Sequence, residues 1–92
     1  MNNKIYKMDP RANLQADGEG GGGVLFDSFT ADICTCNDTA WILLEALERG
    51  ANLEALGERL VEHYEVDADV ARRDIVVLLK DLSAMGLVHE QN

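Results

Sequence analysis

Basic residues are scarce in this 92-residue sequence, in which eight Lys and Arg stand against 17 Asp and Glu and the formal net charge is -9. Such a surplus of negative charge repels phosphate backbones and anionic lipids, so the composition disfavours nucleic acid and membrane surfaces as partners. Long apolar runs are absent as well, and none approaches the roughly 18 residues that a membrane-spanning helix needs. The first ten residues, MNNKIYKMDP, lack the apolar core of a signal peptide. These absences predict a cytoplasmic protein.

Cysteine is limited to Cys34 and Cys36, in the stretch DICTCNDTAWILL. Structural zinc needs four N or S ligands, and the sequence adds only His63 and His89, which do not have a recognisable ligand spacing. Cytoplasmic thiols stay reduced, so the pair does not imply a disulfide. Alternate residues of a strand share a face, and we predict that both cysteines are small apolar residues buried against the helices. A metal or redox role is the alternative.

Catalytic motifs are missing too. His63 and His89 have no nucleophile partner in a readable motif, and we predict that both lie on the surface. The glycine run DGEGGGG lacks the Lys-Ser/Thr ending of a phosphate-binding loop. The sequence therefore favours a protein that is not an enzyme and has no cofactor.

A chain of this length with 47% hydrophobic residues and one proline predicts one small domain. We expect residues 1–23 to be a flexible segment that holds a possible first strand at about 11–16 and a glycine-rich loop. Residues 24–88 would form the domain, and 89–92 a tail. Within the domain, VLFDSFTADICTC predicts a hairpin because two runs of β-formers flank a turn.

Three helices follow the hairpin. Asn37, Asn52 and Asp67 are placed to cap their N-termini, while Gly50 and Gly86 mark the ends of the first and third. Apolar residues at helical spacing predict two core stripes and a return of the chain to the core. They are Leu53, Leu56, Leu60, Val61 and Tyr64 in the second helix, Ala71, Ile75, Leu78, Leu82 and Met85 in the third, and then Leu87 and Val88.

The third helix is more apolar than one stripe requires, because Val76, Val77 and Leu79 widen its apolar arc. It also carries Arg72, Arg73 and Lys80. We interpret Val76 and Leu79 as an exposed strip edged by cations, which suits an apolar peptide with some carboxylates. Deeper burial of this helix and a solvated face with internal ion pairs are the alternatives.

The order of these segments resembles the PqqD family, also called RiPP recognition elements. The resemblance covers about residues 24–88. It is carried by three stretches, which are CNDTAWILLEAL, GANLEALGERLVEHYEVD, and a last helix with Val70, Asp74, Ile75, Leu78, Leu82, Gly86 and Leu87.

The resemblance implies an α+β, winged-helix-like domain with a three-stranded antiparallel sheet followed by three helices. Family members bind the leader segment of a ribosomally synthesised precursor peptide and present it to a maturation enzyme such as a radical-SAM protein or a leader peptidase. The leader adds as a strand in the groove between the third strand and third helix. The peptide-binding residues expected here are Asp32, Ile33, Cys34, Thr35, Cys36, Arg72, Arg73, Val76, Leu79 and Lys80.

Two other functions stay open at the level of sequence. A winged-helix DNA-binding protein has a related topology, although the net charge of -9 disfavours it. A homodimerisation module would pair the same strand edge with a second copy of itself. We therefore expect a monomer or a homodimer.

Overall fold

The computed structural model describes residues 4–18 and 21–91. Within these ranges, four strands precede three helices, and a fifth strand follows them. The elements are β1 Ile5–Met8, β2 Ala12–Ala16, β3 Gly23–Asp27, β4 Ile33–Cys36, α1 Asp38–Arg49, α2 Leu53–His63, α3 Ala68–Ala84 and β5 Val88–Gln91.

Two antiparallel sheets are formed. The larger has the order β2-β3-β4 and precedes the three helices, which confirms the predicted fold class. The strand expected near 11–16 is present as β2, and the expected hairpin is β3 with β4. The smaller sheet pairs β1 with β5 and was not predicted, because its strands are 80 residues apart and neither is long enough to stand out in sequence. The predicted domain boundaries at 24 and 88 stay a prediction.

Helix ends follow the sequence signals. The side chain of Asn37 accepts the backbone N–H of Ala40 at 2.9 Å, and that of Asn52 accepts the N–H of Ala55 at 2.8 Å. Each bond satisfies a donor that the first helical turn leaves unpaired. Asp67 is the N-cap of α3 without a side-chain bond to the helix. Gly50 ends α1 at a φ of 96°, a conformation that suits glycine.

The core lies between the helices and the inner face of the larger sheet. Its fully buried side chains are Leu44, Leu47, Leu56, Leu60, Ile75, Leu87 and Val88. Tyr6 and Met8 of β1 also belong to it, so the second sheet closes one end of the domain. The glycine run contributes Gly23 to β3, where a Cβ would lie 2.6 Å from the Trp41 ring. Glycine at this position allows α1 to approach the sheet.

Three residues differ from the predicted core pattern. Leu79 is buried, because the stripe of α3 runs through Ala71, Ile75, Leu79 and Leu82 and includes Leu79 one turn after Ile75. Met85 is exposed, since it is the C-cap where the chain leaves the helix. Val61 is exposed as well, on the outer side of α2. The predicted burial of Leu87 and Val88 is confirmed. No helix in the described part of the chain is long and apolar enough to cross a membrane.

Candidate functional site: a groove beside the edge strand

β4 is the edge strand of the larger sheet, and no described strand pairs with its outer side. The N–H of Asp27 donates to the carbonyl of Asp32 at 2.9 Å, which fixes the alternation of the ladder. In an antiparallel pair, residues that bond to the partner alternate with residues whose backbone groups point away from it. The N–H and C=O groups of Ile33 and Thr35 therefore point outward, where an added strand would bind them.

Cys34 is exposed, although the sequence analysis predicted that it would be buried in the core. It pairs with Leu25 of β3, so both side chains are on the face of the sheet that meets the helices. Leu25 is buried, whereas Cys34 is exposed. The prediction chose the correct face, but the cover of that face ends before Cys34, whereas Cys36 farther along β4 still packs against the core.

Cys36 fits the prediction better, since it is half-buried and packs against the core. Burial, and then the neighbouring Cys34 thiol, raise the pKa of Cys36. Its Sγ lies 3.6 Å from the backbone oxygen of Cys34. A raised pKa keeps a thiol protonated at neutral pH, so Cys36 has the character of a packing residue.

A cavity of about 220 Å³ lies beside Cys34. One wall is the β3–β4 hairpin, and the other is formed by Met85 and Leu87 where the chain leaves α3. The lining residues are Arg11, Leu25, Asp27, Thr30, Asp32, Ile33, Cys34, Met85 and Leu87. The open edge of β4 thus borders a mostly apolar recess with charged groups at its end.

The predicted residues on α3 divide into two groups. Arg72, Arg73, Val76 and Lys80 are exposed, and none of these four lines the cavity. Leu79 was expected to be exposed and is instead a core residue. Of the predicted strand residues, Asp32, Ile33 and Cys34 line the cavity, whereas Thr35 and Cys36 lie farther along β4.

Six of the nine lining residues were not predicted as site residues, and Met85 and Arg11 are the most informative of them. Met85 was assigned to the core. The glycine that follows it, Gly86, marks the end of the helix, where a side chain no longer follows the helical spacing of the core residues. Arg11 was treated as part of a strand, and no local pattern indicates that it reaches Met85, 74 residues later. Contacts of this range depend on the fold.

The histidines lie on the surface, as predicted. His63 Nδ1 is 2.9 Å from the backbone oxygen of Arg59, and His89 Nε2 is 2.6 Å from a carboxylate oxygen of Asp9. Within residues 4–18 and 21–91, no group of three or more His, Cys, Asp or Glu side chains is placed to hold a metal ion.

The fold and the open edge define a small α+β domain with a groove between a strand and a helix end. In sequence, the family described as coenzyme PQQ synthesis protein D (PqqD) matches residues 22–88. The chain belongs to the PqqD family. Proteins of this family are non-catalytic peptide-binding chaperones, so the chain is a binding protein and not an enzyme. No curated protein sequence matches it closely enough to count as a relative.

Two solved structures share the fold. TbiB1 in complex with the TbiA(beta) leader peptide has a TM-score of 0.80 and 19% identity, over 90% of this chain and 94% of that chain. At 19% identity, this similarity shows a shared fold and does not show a shared function. Lasso peptide synthetase B1 complexed with the leader peptide has a TM-score of 0.77 and 26% identity, over 91% of this chain and 96% of that chain. Both of these structures contain a leader peptide.

Proposed function

We propose that the protein binds the leader segment of a ribosomally synthesised precursor peptide and presents it to a maturation enzyme. The observation that carries the proposal is the open edge of β4 beside an apolar cavity. The two similar structures, which hold leader peptides, support it. We propose that the enzyme that receives the leader is a radical-SAM protein or a leader peptidase. We also propose that the protein acts in the cytoplasm.

The leader would bind by strand addition. Its backbone would bond to the outward N–H and C=O groups of Ile33 and Thr35, which supplies affinity without regard to side chains. Alternate side chains of an added strand point to the same face, so one of them would enter the cavity next to Cys34. The apolar walls contributed by Leu25 and Leu87 favour an apolar side chain there.

The helical wall of the groove has two proposed parts. Met85 forms the end nearest the cavity. The exposed residues Arg72, Arg73, Val76 and Lys80 are proposed to extend the contact along α3, where cations would meet carboxylates of the leader. Variants at Met85 and Val76 test the two parts separately.

Calorimetric titration tests the proposed function. Synthetic N-terminal segments of the short peptides encoded beside the gene would be titrated into the full chain, with scrambled versions as controls. Saturable binding of one segment and not of its scrambled version supports leader recognition. Failure of every segment to bind would contradict it, and sedimentation of the free protein would then show whether β4 pairs with a second copy in a homodimer.

A further inference from the structure

Arg11 lies at the end of the cavity and contacts both of its walls. Its Nη2 donates to the backbone oxygen of Met85, at the end of α3. On the side of the hairpin, its Nε lies 3.5 Å from Oδ1 of the buried Asp27, and its guanidinium carbon is 5.4 Å from the centre of the Phe29 ring. One side chain thus joins α3, β3 and the turn between β3 and β4.

The backbone of Arg11 is also held by hydrogen bonds. Its N–H donates to Asp9 at 3.0 Å, and its carbonyl accepts from the N–H of Ser28 at 2.9 Å. Asp9 in turn bonds to His89 of β5. The guanidinium therefore projects from a point that both sheets fix in place.

We propose that Arg11 is a positioning residue that sets the distance between the hairpin wall and the α3 wall, and thereby the affinity of the groove. The inference rests on the proposed function. A guanidinium is a planar group whose donors point in several fixed directions, and it also stacks on aromatic rings. It can therefore contact the Met85 carbonyl, the Asp27 carboxylate and the Phe29 ring at once, whereas a lysine ammonium is a single compact charge.

One donor of the Arg11 guanidinium is not satisfied at this junction. Nε of Arg11 is buried and has no hydrogen-bond partner among the described residues, because the nearest acceptor, Asp27 Oδ1, lies 3.5 Å away, beyond a good hydrogen bond. An unpaired buried donor is unfavourable. The Met85 carbonyl is therefore the hydrogen-bond acceptor through which the guanidinium holds the α3 wall, and its contact with Asp27 is ionic.

The experiment compares Arg11→Met, Arg11→Lys and the control Lys4→Met in calorimetric titrations with the leader segment that binds the wild-type chain. Lys4 Nζ lies 3.2 Å from a carboxylate oxygen of Glu90 beside the smaller sheet, so the control removes one positive charge that does not line the cavity. We expect both Arg11 variants to lose about tenfold or more in affinity, because the two walls are no longer held at the spacing that fits the peptide, and the control to change little. Circular dichroism at the titration temperature verifies that each variant is folded.

A second readout separates positioning from direct attraction to the peptide. In ¹⁵N NMR spectra of the free variants, the amides of Leu87 and Phe29 should both shift from their wild-type positions, because the two walls move before any peptide is added. Wild-type affinity in Arg11→Lys would overturn the inference, since charge alone would then suffice. Wild-type affinity in Arg11→Met would overturn it as well and leave leader recognition standing. Absence of binding to the wild-type chain would instead reject the proposed function.

Discussion

Cys34 lies opposite Leu25 in the β3–β4 ladder, but Leu25 is 3% exposed and Cys34 is open to solvent. Both side chains are on the inner face of the sheet, so the difference shows where the cover of the helices ends. An inner face without cover, next to an unpaired strand edge, is a surface on which a peptide strand gains both main-chain bonds and a side-chain pocket. This relationship underlies the proposed function.

The accessibility of the two thiols provides the first prediction. Iodoacetamide should modify Cys34 faster than Cys36, because Cys34 is exposed while burial raises the pKa of Cys36 and lowers its thiolate fraction at neutral pH. Mass spectrometry of Cys34→Ser and Cys36→Ser gives the two rates. A bound leader segment should slow the modification of Cys34. Equal rates with and without the segment would place the peptide elsewhere.

Proline at Thr35 tests the strand edge. Thr35→Pro removes an N–H that points to the open side of β4, so the ladder with β3 keeps its bonds, and edge strands tolerate proline. Leader affinity should fall about tenfold or more through loss of one hydrogen bond and the added ring, with a small change in stability.

Cys34→Pro is the matched control for the strand edge. It removes an N–H that bonds to β3 and leaves a carbonyl unpaired, so it should cost about 1–3 kcal/mol of stability. Urea unfolding and calorimetry measure both effects. Thr35→Pro with unchanged affinity would argue against strand addition.

Aspartate substitutions test the helical wall. Met85→Asp places a carboxylate at the apolar cavity and should weaken leader binding about tenfold or more, because a desolvated charge is unfavourable. Val76→Asp should also weaken binding if the contact extends along α3, as proposed. Both residues are about half exposed, so thermal unfolding should change little. Loss of affinity in Met85→Asp alone would restrict the wall to the end of α3.

The Asp9 carboxylate predicts a pH dependence of stability. The backbone N–H of Arg11, and then the hydrogen bond with His89, hold the pKa of Asp9 below its usual value. A lowered folded-state pKa means that the stabilisation is complete above the unfolded-state pKa of about 3.9 and is lost as the pH falls through the folded-state value. The free energy of unfolding, measured in urea, should therefore be higher for the wild type than for Asp9→Asn at about pH 6. The difference between the two should decrease towards about pH 3. A gap that does not depend on pH would contradict this role of Asp9.

Much of the fold could be predicted from sequence because its signals are local. Asn37 and Asn52 are caps whose bonds reach only three residues ahead, and the β3–β4 hairpin needs only its own turn. The pairing of β1 with β5 could not be predicted, since it joins the two ends of the chain and each strand has only four residues.

Part of the site could also be predicted, because strand alternation is a local signal. Strand alternation assigned Cys34 to the inner face, but its exposure depends on where the helix layer stops, which no local pattern encodes. Helical spacing assigned Met85 to the core stripe of α3 and Leu79 to an exposed strip, and packing reversed both assignments. Arg11 is placed at the cavity by contacts across the fold with Met85, Asp27 and Phe29.

The most direct test of leader recognition is amide hydrogen exchange of the ¹⁵N-labelled chain, by NMR, with and without a leader segment from the neighbouring genes. Strand addition predicts that the amides of Ile33 and Thr35 exchange quickly in the free protein and become protected when the segment is added. The amides of Cys34 and Cys36, which already bond to β3, should change much less. Binding that leaves Ile33 and Thr35 unprotected would contradict strand addition at β4.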